Sequence, residues 1–124
     1  MNTSPHVQCI IDYILTGNMT AFLGRELILD CHIPPIADFL RTDRELERLF
    51  LHGNEIGDGG AGCLGRALGE NTTLGVLDLE TNNIGDVGVG AFVDGFMGNQ
   101  TLYSLHLGNN AGITDESFHT LEAL

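Results

Sequence analysis

The sequence predicts an α/β solenoid of stacked strand–turn–helix units, and three observations carry that prediction. First, a leucine pattern recurs. Leu46, Leu49, Leu51, Asn54 and Ile56 are echoed by Leu74, Leu77, Leu79, Asn82 and Ile84, then by Leu102, Leu105, Leu107 and Asn110. Leu46, Leu74 and Leu102 stand 28 residues apart, a period that means units unable to bury an apolar face alone. Second, glycine–aspartate pairs, Gly57-Asp58 and Gly85-Asp86, follow the first two leucine segments. Third, apolar residues at helical spacing come next: Ala61, Leu64 and Leu68, then Val89, Phe92 and Phe96.

The elements follow in order. Residues 1–45 form an N-terminal cap, with a helix over about 5–16 and an irregular first repeat. Ser4 suits an N-cap and Pro5 the first helical position. Val7, Ile10, Ile11, Ile14 and Leu15 make one apolar stripe, and Gly17 ends the helix. Such a helix covers the open end of a solenoid.

The irregular unit admits two registers. In the preferred one, Leu27-x-Leu29 is its short strand and Pro34-Pro35 starts a helix bearing Ile36, Phe39 and Leu40. In the other, Ile33, Ile36 and Leu40 stand in phase with Ala61, Leu64 and Leu68.

Residues 46–124 read as three regular units, the last incomplete. Strands centre on 48–51, 76–79 and 104–107, with alternate leucines pointing inward. Helices are expected over roughly 59–70, 87–98 and 115–123, with Asp58, Asp86 and Thr114 or Asp115 capping them. Phe118 and Leu121 are the inward residues of the last helix, shifted by one extra residue near Ala111-Gly112. The chain stops one inward position short of a complete unit, so a longer array is expected to continue it.

Composition narrows the function. The 124 residues carry 17 acidic and 5 basic side chains, all five arginine, for a net charge of −12. That surface repels phosphate backbones and anionic leaflets, so neither a nucleic acid nor a membrane is the expected partner. It attracts a basic protein, chiefly by speeding encounter, and it also serves solubility alone. Cys9, Cys31 and Cys63 are odd in number, widely spaced and without C-x-x-C. They are expected as small buried residues in a reduced, cytoplasmic chain, not as disulfides or zinc ligands. No basic-then-apolar leader opens the chain, and no segment reaches a membrane-spanning length.

Apparent chemistry dissolves on inspection. Gly57 and Gly62 have the spacing of a phosphate loop, but Cys63 and Leu64 stand where Lys and Ser/Thr belong. There is no G-x-S-x-G and no plausible Cys–His–acid relation. His6, His32 and His119 are isolated and read as solvated. Asn71 and Asn99 fit a glycosylation pattern, yet they occupy one repeat position, which points to a structural cause. The expectation is therefore no enzyme, no cofactor and no metal.

These segments resemble leucine-rich repeat proteins, and most closely the ribonuclease-inhibitor-like subclass, whose repeats run roughly LxxLxLxxNxIGDxGAxxLxxxLxxNxT. Residues 46–73 match nearly throughout, residues 74–101 almost as well, and residues 1–45 only loosely. The resemblance implies a curved right-handed solenoid, with parallel strands on the concave face and helices on the convex one. It implies that Asn54, Asn82 and Asn110 stack as a ladder that satisfies turn backbone. It also implies protein binding along the concave face.

On that face the repeat builds columns: Arg48, Val76 and Ser104; Phe50, Asp78 and His106; His52, Glu80 and Gly108. Ile28 and Asp30 extend two of them if the first strand lies at 27–29. The expected binding residues are Arg48, Phe50, His52, Asp78, Glu80 and His106. Phe50 is either an interface anchor or a filler beside the irregular unit. The acids and histidines suit a solvated strip or a patch for Arg and Lys better than a metal, because no second shell is evident. Two alternatives accompany passive binding. One is regulation of a small GTPase, implied by likeness to the Ran GTPase-activating branch. The other is an architectural or self-associating domain pairing through the open edge at 104–107.

Overall fold

A computed structural model of the chain describes residues 5–14 and 19–122. Among these residues four three-residue strands, β1 (Thr20–Phe22), β2 (Arg48–Phe50), β3 (Val76–Asp78) and β4 (Ser104–His106), form one parallel sheet in chain order. Between them run the helices α2 (Ile33–Thr42), α3 (Asp58–Leu68) and α4 (Asp86–Phe96), with α1 (Pro5–Ile14) before the sheet and α5 (Glu116–Glu122) after it. The sheet lines the concave side of the solenoid and the helices the convex side.

The leucines close the space between the layers. Leu46, Leu49, Leu51, Leu74, Leu77 and Leu79 are all fully buried, each contributing about 2 kcal/mol through area removed from water. Leu102, Leu105 and Leu107, their counterparts at the edge of the described sheet, are only partly buried. Ile36, Leu64 and Phe92 supply the matching helical layer. Glycine lets α3 and α4 approach closely: a Cβ on Gly65 would lie 2.3 Å from the Phe92 carbonyl oxygen.

The first unit corrects the preferred register. Its strand is Thr20–Phe22, paired Thr20↔Arg48 and Phe22↔Phe50, and not residues 27–29. The helical register of Ile33, Ile36 and Leu40 is the one that holds, and all three are fully buried. Ala21, Leu23 and Ile28 fill the positions of Leu49, Leu51 and Ile56. Leu27 is 77% exposed with a left-handed φ of 57°, so an alternating strand cannot run through it. The Leu-x-Leu signal at 27–29 is a loop in which only Ile28 turns inward.

Two asparagine ladders hold the turns. The Asn54 amide oxygen accepts from Glu26 and Ile28 backbone N–H, while its nitrogen donates to the Leu23 and Leu51 carbonyls. Asn82 and Asn110 repeat the bridge one and two units on, accepting from Ile56 and Ile84 N–H. At the other end of the helices, Asn71 accepts from Leu74 N–H and donates to the Leu40 carbonyl. Asn99 does the same with Leu102 and Leu68. This accounts for the shared repeat position of Asn71 and Asn99.

The aspartates also act between units. Asp58 and Asp86 do not cap their own helices, whose N-caps are Gly57 and Gly85. Asp58 accepts instead from Gly85 and Gly88 N–H, at the start of α4. Asp30 accepts from Gly57 N–H in the same way, and so belongs to this row and not to a concave column. Asp86 accepts from Thr114 N–H and from the Thr114 and Ser117 hydroxyls. Thr114 and Ser117 are one residue later than strict repetition of Gly85 and Gly88 would place them, which is the extra residue expected near Ala111-Gly112.

Three further expectations fare differently. Pro5 is the first described residue of α1, and α1 packs on α2. Ser4, Leu15 and Gly17 lie outside the described residues, as do the side chains of Val7, Ile10, Ile11, Ile14, His6, Phe118 and His119. The cysteines are not buried: Cys9 and Cys31 are exposed and Cys63 is half-buried. His32 is not merely solvated, since its Nδ1 accepts from Leu29 N–H at 3.0 Å.

Candidate protein-binding face

Strand register sets which side chains share a row. Thr20, Arg48, Val76 and Ser104 are aligned across the sheet, and so are Phe22, Phe50, Asp78 and His106. Leu49 and Leu77, between them, point into the core. Period two therefore turns both rows to the open side. Just past the strands stand Gly24, His52, Glu80 and Gly108, one unit apart.

The central row changes chemistry along its length. At one end Phe22 and Phe50 stack with ring centroids 5.2 Å apart and planes within 4°. Phe22 is 64% exposed and Phe50 is half-buried. Beside them Tyr13, Met19, Thr20, Phe22 and Arg48 line an open cleft of about 380 Å³. At the other end the row is polar. Asp78 Oδ2 lies 3.5 Å from His52 Nδ1, and Glu80 Oε1 lies 3.7 Å from His106 Nδ1. Ser104 Oγ and His106 Nε2 are hydrogen-bonded at 2.9 Å.

These groups are held in place to different degrees. Asp78 Oδ1 accepts from Glu80 N–H at 2.9 Å, fixing the carboxylate against the turn that follows β3. The His52 ring lies over Gly24, where a Cβ would meet Nε2 at 2.3 Å. Gly24 thus makes room for His52, which in turn lies against Asp78. Glu80 and His106 are more open to solvent, with side chains 45% and 47% exposed.

The structure brings Phe50, His52, Asp78, Glu80 and His106 together on adjacent strands and places Arg48 at the edge of the apolar cleft. It adds Phe22, which sequence reasoning missed. The signal for Phe22 was its place 28 residues before Phe50, in phase with the Ile33, Ile36 and Leu40 register. Ile28 and Asp30 lie off this face. Among the described residues no group of three or more His, Cys, Asp or Glu side chains converges to hold a metal ion. No described helix is long and apolar enough to cross a membrane.

A family model for the leucine-rich repeat matches residues 44–65, 70–93 and 98–117, together just over half of the chain. The chain belongs to the leucine-rich repeat family. Among solved structures, leiomodin-1 actin-binding site 2 superposes with a TM-score of 0.81 at 16% identity, covering 99% of this chain and 72% of that one. The tropomodulin C-terminal domain of Caenorhabditis elegans superposes with a TM-score of 0.69 at 14% identity, covering 85% of this chain and 65% of that one. At such identities the likeness is one of fold. No curated protein matches the sequence significantly.

Proposed function

We infer that this domain is a binding module that recognises a protein through its concave face and performs no chemistry of its own. The observation that carries this reading is the Phe22–Phe50 stack, exposed at Phe22, on a hydrogen-bonded sheet next to Asp78, Glu80, His52 and His106. Aromatic side chains supply much of the energy of protein interfaces, and here they are ordered before any partner arrives. The strands are fixed by hydrogen bonds to their neighbours, so binding requires little rearrangement of backbone. The net charge of −12 favours a basic partner, mainly through its rate of association.

One structurally similar chain is an actin-binding site of leiomodin-1. Actin is therefore the first protein to test, alongside unbiased affinity purification. Baits carrying Phe50→Ala or Asp78→Arg should lose the partner that wild type retains, while keeping a cooperative thermal transition. Retention by both variants contradicts the assignment to this face.

A further inference from the structure

We propose that the concave face takes an amphipathic helix laid across the strands, with an apolar side chain in the cleft beside Phe22 and an arginine or lysine opposite Asp78 and Glu80. This rests on the concave-face reading above and names the chemistry of its partner.

Three observations lead here. The central row of the face is divided: its apolar anchors, Phe22 and Phe50, lie on β1 and β2, whereas its carboxylates lie on and just after β3. The cleft at the apolar end has about 380 Å³, room for one large side chain, and its wall includes Met19, which is itself exposed. At the polar end, among the described residues, only histidines accompany the acids within ion-pair reach, His52 at 3.5 Å and His106 at 3.7 Å. Among the described residues no arginine pairs with those carboxylates, and a guanidinium or ammonium complements them.

Spacing selects the form of the ligand. Neighbouring strands lie about 4.8 Å apart, so β1 and β3 are about 10 Å apart. A helix advances about 5.4 Å per turn, and residues seven apart on one face are about 10.5 Å apart. Successive turns of a helix lying across the sheet therefore meet successive strands. An extended ligand repeats a face about every 6.6 Å, so its side chains fall out of step by the third strand. The match predicts an apolar residue and a basic residue seven positions apart, with a further apolar residue between them over Phe50.

The test is a selection from a displayed library of helical 18-residue peptides, randomised on one face, against the full chain. Enriched peptides should carry Leu, Met or Phe and, seven residues away, Arg or Lys. Their affinity should fall at least tenfold with Phe22→Ala and at least tenfold with the Asp78→Asn, Glu80→Gln pair. An Asp78→Arg, Glu80→Arg variant should prefer the same peptide with Glu in the basic position. Peptides that need Phe22 and Phe50 but carry no basic residue at that spacing overturn the proposal and leave concave-face binding standing. Peptides indifferent to Phe22→Ala and Phe50→Ala overturn both readings. No enrichment at all also overturns the proposal.

Discussion

Phe22 and Phe50 lie 28 residues apart in the chain and stack with their ring planes 4° apart. That contact ties the irregular first unit to the regular array. It forms because β1 pairs with β2 in full register, so that the first unit has the same length as the others despite its divergent sequence. The stack is worth about 0.5–1.5 kcal/mol beyond area burial, yet much of Phe22 faces solvent. A large aromatic surface left open on the face that carries the carboxylate–histidine pairs is what a binding surface requires.

Close helix packing gives a first prediction. A Cβ on Gly65 would sit 2.3 Å from the Phe92 carbonyl oxygen, whereas one on Gly90 meets nothing within 4 Å. Gly65→Ala should cost about 2 kcal/mol, because α3 and α4 must separate. Gly90→Ala should stabilise by about 0.5–1 kcal/mol, because alanine loses less backbone entropy in a helix. Urea unfolding of both variants checks the contrast. Equal effects would mean that the two helices do not pack as described.

The turn after each strand gives a second. Arg25, Gly53, Thr81 and Asn109 occupy one repeat position and all have a left-handed φ, between 56° and 70°. Thr81 is β-branched, and such residues are strained there, whereas asparagine tolerates it. Thr81 is exposed, so replacing it removes little packing. Thr81→Asn should raise the urea midpoint, by about 1 kcal/mol of stability, with an unchanged denaturant slope. A lower midpoint would count against the left-handed geometry.

Acid sensitivity gives a third. Hydrogen bonds from the Ser117 hydroxyl first, and then from Thr114, hold the Asp86 carboxyl below its ordinary value. A depressed carboxyl pKa stabilises the fold above the ordinary carboxylate range near 4, and that contribution is lost as pH falls through the lower folded value. Wild type should therefore lose part of the stability of its last unit below about pH 4. Asp86→Asn should lack that contribution at about pH 7 and show a smaller drop in Tm between about pH 7 and pH 3. An unchanged drop would remove Asp86 from the linkage.

How much of this was legible depends on what each residue must do. The leucines, Asn54, Asn82 and Asn110 announce the regular units because the core and the turn backbone accept little else there. The first unit hides because three of its marker positions are filled differently: Asn18 stands in phase with Leu46, Ala21 with Leu49, and Glu26 with Asn54. Its turn is satisfied from outside, by Asn54 of the next unit, so it needs no asparagine of its own. Meanwhile Leu27 and Leu29, exposed in a loop, mimic a strand. The role of the aspartates was misplaced for a related reason. Gly-Asp before a helix has the sequence of a local cap, and only stacking reveals that Asp58 serves the start of α4. Phe50, Asp78 and His106 were legible as a column because equal spacing aligns them whatever their chemistry. The exposed cysteines were not, since nothing in their spacing distinguishes a core position from a surface one.

The most direct measurement of the central claim is amide hydrogen exchange on the full chain, free and saturated with a binder whose affinity requires Phe50. Concave-face recognition predicts new protection in segments 20–24, 48–52 and 76–80, with exchange in α3 and α4 unchanged. Protection confined to α3 and α4, with those strand segments unaltered, would contradict it.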